Sequence, residues 1–467
     1  MHAPSASMTG PATVGVPGVR SLPPRRWVRR RAAPITASIL FVLIGMGFSL
    51  WWNQHMDHAA VWYEPADLWR TMLAAVRLDH GQIGQLYANG TNLVSFPGAA
   101  VLLAPAAGLI SLLHLPLGPP IGSFTDTNAW LIAGPYMMAV SCSVLFATDR
   151  LAETMGVGAG KRFVLAGAEA FALWNVAPYW GHPEDCVAVA LTLFAVDAAV
   201  GGRIWRCAWL VGIALAVQPL VLLAVPILAV IVGGRQIVGW LVRAAIPPAV
   251  AVGAALAANW SATWYQVVDQ PNWPYIDRPT PWIALAPHLT AQTVSAGPGR
   301  SIAVVLAVLA CWPAWRAWRR AGGISPSPPA PGGQDAPDLA PGGYGRRWPV
   351  EAIATVVWWV AIALALRCAF EAVMVSYYLW PGIAVGVLAS SRSWWRLIPT
   401  AVLGIGLTSF CNVWWHGEWP WWSVVVVTLA LLLVAAKPDL PRRHSLGNRA
   451  AREGDAARNP ISTPAFD

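Results

Sequence analysis

Residues 25–52 read RRWVRRRAAPITASILFVLIGMGFSLWW: a cluster of arginines, then an apolar run from Ala32 to Trp52 without a charged side chain. A run of about 20 apolar residues is enough to cross a bilayer as a helix. It closes on Ser49-Leu50-Trp51-Trp52 and lacks a small-residue A-x-A cleavage site. The reading is therefore a retained first helix, not a removed signal peptide. Comparable runs recur at 93–115, 128–148, 163–180, 185–202, 207–234, 240–259, 301–315, 350–369, 374–391, 394–415 and 420–436. The composition agrees. Of 467 residues, 56% are hydrophobic and 11% charged, and 29 are Trp, against about 25% charged in a soluble domain. A soluble enzyme and a disordered chain are excluded. The expected fold class is all-α: a polytopic transmembrane helix bundle of about 10–13 membrane segments.

The net charge of +9 invites a nucleic-acid reading, and the placement of the basic residues removes it. They gather in the two tails and in short connections: Lys161-Arg162, Arg203/Arg206, Arg235/Arg243, Arg316/Arg319/Arg320 with Arg346/Arg347, and Arg392/Arg396. The positive-inside rule puts these in the cytoplasm. The expectation is a multi-pass cell-membrane protein with a cytoplasmic N-terminus and no nucleic-acid partner. The same charges also suit anionic lipid headgroups. Segment 207–234 has basic ends on both sides and Gln218-Pro219 near its middle, where Pro breaks a helix. A hairpin of two short helices fits, with one long helix as the alternative. Arg150 leaves the parity around 93–148 open and makes 93–115 a candidate re-entrant segment. The expected organisation is a disordered cytoplasmic tail (1–31), an N-terminal transmembrane module (32–320) with outer loops at 54–92 and 260–300, a Pro/Gly-rich cytoplasmic linker (321–349), C-terminal transmembrane helices (350–436) and a cytoplasmic tail (437–467).

In the first outer loop Asp57, Glu64, Asp67 and Asp79 face Arg70 and Arg77 in sequence. From Ala66 to Leu78, apolar residues recur at near-helical spacing, which predicts an amphipathic helix on the membrane surface. Asp67 opens it, either as a cap or as a reactive carboxylate. Tyr87 and Ser95-Phe96-Pro97 follow. Gly181-His182-Pro183-Glu184-Asp185 sits at a later helix boundary, where the helix dipole favours carboxylates. Arg367, Glu371, Tyr377 and Tyr378 cluster at another; an i,i+4 ion pair and interfacial aromatics are the plain readings. Glu169 lies inside an apolar segment and is a functional suspect on that ground. His55, Asp57 and His58 form a weak metal-ligand trio beside the reading of a solvated helix end. Asn89-Gly90-Thr91 and Asn259-Trp260-Ser261 match the glycosylation acceptor pattern. The cysteines (Cys142, Cys186, Cys207, Cys311, Cys368 and Cys411) are scattered without a C-x-x-C, so no disulfide framework and no metal site is assigned.

The order of these features resembles the GT-C superfamily of integral membrane glycosyltransferases, most of all the bacterial polyprenyl-phosphate-dependent mannosyltransferases. The resemblance spans about 60–235. It rests on the outer loop with Asp67-Leu68-Trp69-Arg70, on Gly81 and Tyr87, on Phe96-Pro97 opening an apolar run, on Gly181-His182-Pro183-Glu184-Asp185, and on Gly212 to Gln218-Pro219. Tyr377-Tyr378-Leu379-Trp380-Pro381 is similar to the family's later Tyr-rich outer segment. Relatives carry a Gln near the His182 position and a Lys before the Pro219 position. The resemblance implies transfer of a sugar, mannose in the nearest case, from a polyprenyl-phosphate donor to a cell-envelope lipid or glycan acceptor on the outer face. Asp67 matches the family's catalytic acidic residue. Arg70, Tyr87, His182, Glu184, Asp185, Gln218, Arg367, Tyr377 and Tyr378 are the expected substrate-binding residues. The expected partners are the donor, the acceptor and membrane lipids, and a divalent cation is the candidate cofactor. Two other readings stand beside it. One is a transporter or lipid flippase, motivated by Glu169 and the break at Gln218-Pro219. The other is an inactive scaffold of the same fold.

Overall fold

The computed structural model describes residues 24–56, 66–88, 90–115, 127–234, 236–273, 278–323, 348–413 and 417–439. Asp57 and His58 of the metal trio, Glu64, the acceptor position Asn89, most of the Pro/Gly-rich linker and the distal parts of both tails lie outside the described residues.

The chain is all-α. In order come α1 (Pro24–Arg30), α2 (Ala32–Met56), α3 (Ala66–Asp79), α4 (Pro97–Leu112), α5 (Thr127–Ser141), α6 (Ser143–Thr154), α7 (Ala159–Trp174), α8 (Pro183–Val200), α9 (Ile204–Val217), α10 (Val225–Val232), α11 (Ile237–Ala258), α12 (Trp260–Trp264), α13 (Gly299–Leu309), α14 (Cys311–Arg320), α15 (Val350–Phe370), α16 (Trp380–Ser390), α17 (Trp394–Val413) and α18 (Glu418–Ala436). Among the described residues, β pairing is limited to isolated bridges. Among the described residues, six helical stretches are long and apolar enough to cross a membrane: Ala32–Trp51, Leu131–Thr154 (through α5 and α6), Ile237–Ala258, Gly299–Arg320 (through α13 and α14), Val350–Phe370 and Glu418–Ala436. They show large apolar side chains on the outside, Leu43, Val238, Val250 and Leu309 among them, as a lipid-facing helix must.

Ion pairs tie one end of the bundle together. Asp149 of α6, almost fully buried, accepts from Arg31, which joins α1 to α2, and from Arg162 of α7 at 2.6 Å. Glu153 pairs with Arg30 and, at 2.7 Å, with Arg31. Lys161 donates to the carbonyl of Arg392, which in turn lies 3.3 Å from Glu351 of α15. Arg396 meets Asp439 beyond α18. This basic end gathers the starts of α2, α7, α15 and α17 and the ends of α6 and α18. It corrects one expectation: the segment before Ala32 is not wholly without structure, because Pro24–Arg30 is helical and Arg30 and Arg31 are anchored. It also answers the parity of Arg150, which lies on the last turns of α6 at the basic end, 3.4 Å from Asp197.

The opposite end holds the starts of α4 and α8 and the end of α9. Between α9 and α10 the chain breaks at Gln218 and Pro219, which open a short 3₁₀ turn, so the segment is not one long helix. The end of α9 reaches the start of α8, where Gln218 donates to Asp185. Helix α4 begins at this same end. Gly98 lets it seat on the last turn of α9, since a Cβ there would lie 2.3 Å from the Ala216 carbonyl. Its sixteen residues span about 24 Å at 1.5 Å per residue, short of a bilayer core of roughly 30 Å.

The centre is α8, buried along nearly its whole length. It is rich in alanine (Ala188, Ala190, Ala195, Ala198 and Ala199), so α6 and α9 approach its backbone closely. Small residues serve this purpose where lipid tails remove the hydrophobic drive between helices. Gly212 plays the same part between α9 and α11, its missing Cβ leaving room for the Ala244 carbonyl at 2.7 Å.

Candidate functional site

At the end opposite the arginine cluster, α3 packs along α4 with Asp67 in its first turn and Asp79 near Gly108. Residue 181 is what lets the two elements meet. Gly181 has φ +72°, and a Cβ on it would lie 2.8 Å from the Cβ of Leu68. A glycine is required there both by its backbone and by its neighbour. The turn aims His182 at the carboxylate of Asp67.

His182 is buried and flanked by two carboxylates. Its Nδ1 lies 2.8 Å from Glu184 Oε1 and its Nε2 lies 3.3 Å from Asp67 Oδ2. Nδ1 is hydrogen-bonded to Glu184, while Nε2 approaches Asp67 at ion-pair distance without hydrogen-bond geometry; the two flanking carboxylates favour the charged ring. Burial works against that charge. The charge of Glu184, the contact with Asp67 and the hydrogen bond to Glu184 outweigh it, and the imidazolium is pushed up to about 10. Burial would likewise raise Asp67. The contact with His182, the charge of His182 and that of Arg70 hold its carboxyl below the ordinary value instead. Arg70 lies 3.3 Å from Asp67 on the same helix. In this trio Asp67 is the open member, with 29% of its side chain exposed against 2% for His182 and 2% for Glu184.

The rest of the expected residues join the same contact network. Tyr87 donates to the Ser95 carbonyl at 3.0 Å, and the Ser95 hydroxyl donates to Glu184 at 3.1 Å. The ring of Tyr377 stacks on His182 with centroids 4.0 Å apart and 22° between planes. Tyr378 packs edge-on against Tyr377 at 4.6 Å, and Arg367 lies over the Tyr378 ring at 3.6 Å. Asp185 is fully buried beside Gln218; its second oxygen and that of Glu184 make no hydrogen bond. Tyr377 and Tyr378 are therefore buried wall residues, not belt aromatics. Glu184 and Asp185 open α8, as the dipole favours, yet His182 supplies no side-chain cap and each carboxylate is spent on a side-chain partner.

Several contributors escaped the sequence reading. Glu371 takes Arg300 as well as Arg367, with Nε contacts of 2.7 and 3.1 Å. Burial alone would raise its carboxyl; the charges of Arg300 and Arg367 bring it below its ordinary range. Gly299 permits that approach, since a Cβ would collide with the Phe370 carbonyl at 1.7 Å. The second long loop is stitched to the same strip: Met374 donates to the Arg278 carbonyl at 3.0 Å and Thr280 donates to that of Glu371 at 2.6 Å. Behind Tyr377, Trp180 donates to Ser376 at 2.9 Å, and Asn412 donates to Asn175 at 2.7 Å. Asn175 and Asn412 are polar residues closing apolar helices, a signal the sequence did carry.

Glu169 does not reach this network. It is 1% exposed within α7 and neither oxygen has a hydrogen-bond partner. Asn259 is occupied by structure: it caps α12 and donates to the Gly84 carbonyl at 3.0 Å. The cysteines are all free. No set of three His, Cys, Asp or Glu side chains suited to a metal ion occurs among the described residues.

The sequence matches no family model, and no curated protein is detectably similar.

Proposed function

We propose that the chain is a membrane glycosyltransferase that moves a sugar from a polyprenyl-phosphate donor to a lipid or glycan acceptor, at the end of the bundle opposite its arginine cluster. The observation that carries the reading is the meeting of Asp67 with His182 across 115 residues of chain, with Asp67 left as the solvent-facing carboxylate. The basic cluster at the other end supports an outer-face location for this one under the positive-inside rule.

The chemistry follows from the charges. An acceptor hydroxyl attacks the anomeric carbon of the donor. The new C–O bond forms as the bond to the phosphate oxygen breaks, the phosphate leaves with the electron pair, and the hydroxyl proton passes to Asp67. The His182 imidazolium holds Asp67 ionised and fixes its orientation, while Glu184 holds the imidazolium. Arg70 and Arg367 are the cations near enough to meet a departing phosphate. The stacked Tyr377 ring holds the His182 imidazolium in place. The test is to incubate the purified protein with polyprenyl-phosphate-linked mannose and a membrane lipid extract, and to search by mass spectrometry for a hexose added to a lipid. An adduct formed by the wild type and lost in Asp67→Ala supports the assignment. Adduct formation by Asp67→Ala removes Asp67 from it.

One observation favours a second reading. Glu169 is buried mid-helix without a partner, the environment of a proton-carrying carboxyl in a transporter. Substrate movement lost in Glu169→Gln, with no new glycosidic bond, would support transport.

A further inference from the structure

About 15 Å along α3 from Asp67, at 1.5 Å per residue, a second concavity opens beside Arg77. Its volume is about 660 Å³ and its lining includes Arg77, Gly81, Gln82, Gly84, Gln85 and Ala258. That size lies within the usual range of small-molecule sites, roughly 300–1,000 Å³. Arg77 is one of the few arginines away from the basic end, and it pairs with no carboxylate among the described residues. Its Nε is buried and has no hydrogen-bond partner. The favourable dipole at the end of α3 explains an arginine in the last turn, but a fully solvated one would serve as well; it does not explain why this one is held with its Nε unpartnered. Asp79, two residues on, is turned toward Gly108 of α4.

The wall opposite Arg77 is fixed. Gly81 turns the chain at φ +70°. The Gln82 amide donates back to the Arg77 carbonyl at 2.8 Å. The Gly84 carbonyl is held by Asn259, and the close approach of Ala258 leaves a Cβ on Gly84 only 3.2 Å from a carbonyl. The side chains of Gln82 and Gln85 are exposed on that wall, where their amides can serve hydroxyl groups. One unneutralised guanidinium beside two amides, in an open cleft, is chemistry for an oxyanion carried on a polyol.

We propose that this cleft binds the phosphate of a hydroxyl-bearing group, Arg77 taking the anion and Gln82 and Gln85 its hydroxyls. Its further assignment as the site gripping the remote part of the acceptor rests on the glycosyl-transfer reading; the binding itself does not.

The test uses the full chain in phosphatidylcholine nanodiscs, titrated with inorganic phosphate and with sn-glycerol 3-phosphate, and a parallel set containing phosphatidylglycerol scored by native mass spectrometry of retained lipid. Saturable binding is expected, weakened at least tenfold in Arg77→Gln, severalfold in Gln85→Ala and partly restored in Arg77→Lys. Binding of the soluble probes alone identifies a free phosphate as the ligand; retention of phosphatidylglycerol alone identifies a headgroup. No saturable binding of any probe, or equal binding by wild type and a folded Arg77→Gln, overturns the proposal. Should Arg77→Gln fail to fold, Gln85→Ala decides in its place. Transfer activity surviving in Asp67→Ala would sink the catalytic reading while leaving this binding result intact.

Discussion

Replacing His182 with Gln removes the one cation between Asp67 and Glu184 while keeping a hydrogen-bonding side chain of similar reach. The imidazolium contacts Glu184 at 2.8 Å and Asp67 at 3.3 Å, and its folded-state value of about 10 stands above the ordinary 6.5. A group raised on folding contributes stability that is complete below its unfolded value and lost as pH rises through the folded one. The gap is worth at most about 5 kcal/mol. Wild-type stability should therefore decline between about pH 6.5 and 10, by up to about 1.4 kcal/mol per pH unit from this group. Asp67 does not confound that window, because its lowered value places its own loss at acid pH. The assay is thermal or denaturant unfolding in detergent micelles at half-unit steps from pH 6.5 to 10. The difference between wild type and His182→Gln should shrink steadily toward alkaline pH. Parallel curves, with a constant offset, would mean that His182 is neutral in the folded protein and that the charge assignment of the site is wrong.

Gly181→Ala should destabilise the protein by about 2 kcal/mol or more, since a left-handed alanine costs roughly 1–2 kcal/mol and its Cβ meets Leu68 at 2.8 Å; unfolding measurements check this, and His182 chemical shifts should move with it. Glu371→Gln strands Arg300 and Arg367, the first of which is 29% exposed, so a loss of about 3 kcal/mol is expected, at the lower end for a broken buried pair; a change under 0.5 kcal/mol would contradict the ion-pair account. Asp149→Ala should cost about 3–5 kcal/mol at the basic end while leaving the binding and transfer properties of the folded fraction unaltered, which separates anchoring from chemistry.

The helical, membrane-type architecture was legible because apolar runs and arginine placement report directly on the solvent each segment meets. The break at Gln218 was legible because Pro219 cannot continue a helix. The amphipathic α3 was legible from its spacing, to within a residue of its observed end. The site residues were nameable one by one, but not their grouping. Asp67 and His182 are brought together by a glycine turn whose need appears only when Leu68 stands against it. Capping explained Glu184 and Asp185 equally well in one dimension; only their side-chain partners, His182, Ser95 and Gln218, distinguish the two readings. Glu371 was legible beside Arg367, yet its second partner, Arg300, depends on the close approach at Gly299. The arginine helix before Ala32 was hidden for a related reason: Arg30 and Arg31 look like a solvated charge run until Asp149 and Glu153 are placed beneath them.

The most direct test of the central claim is the rate of hexose transfer from polyprenyl-phosphate-linked mannose by wild type and Asp67→Asn, the latter isosteric but without the proton-accepting charge. General-base catalysis of this kind is worth about 10²–10⁴-fold. A loss of that size, with thermal stability and donor binding retained, is the predicted result. Equal rates in the two proteins, or no transfer by folded wild type with any lipid-linked sugar, would contradict the account.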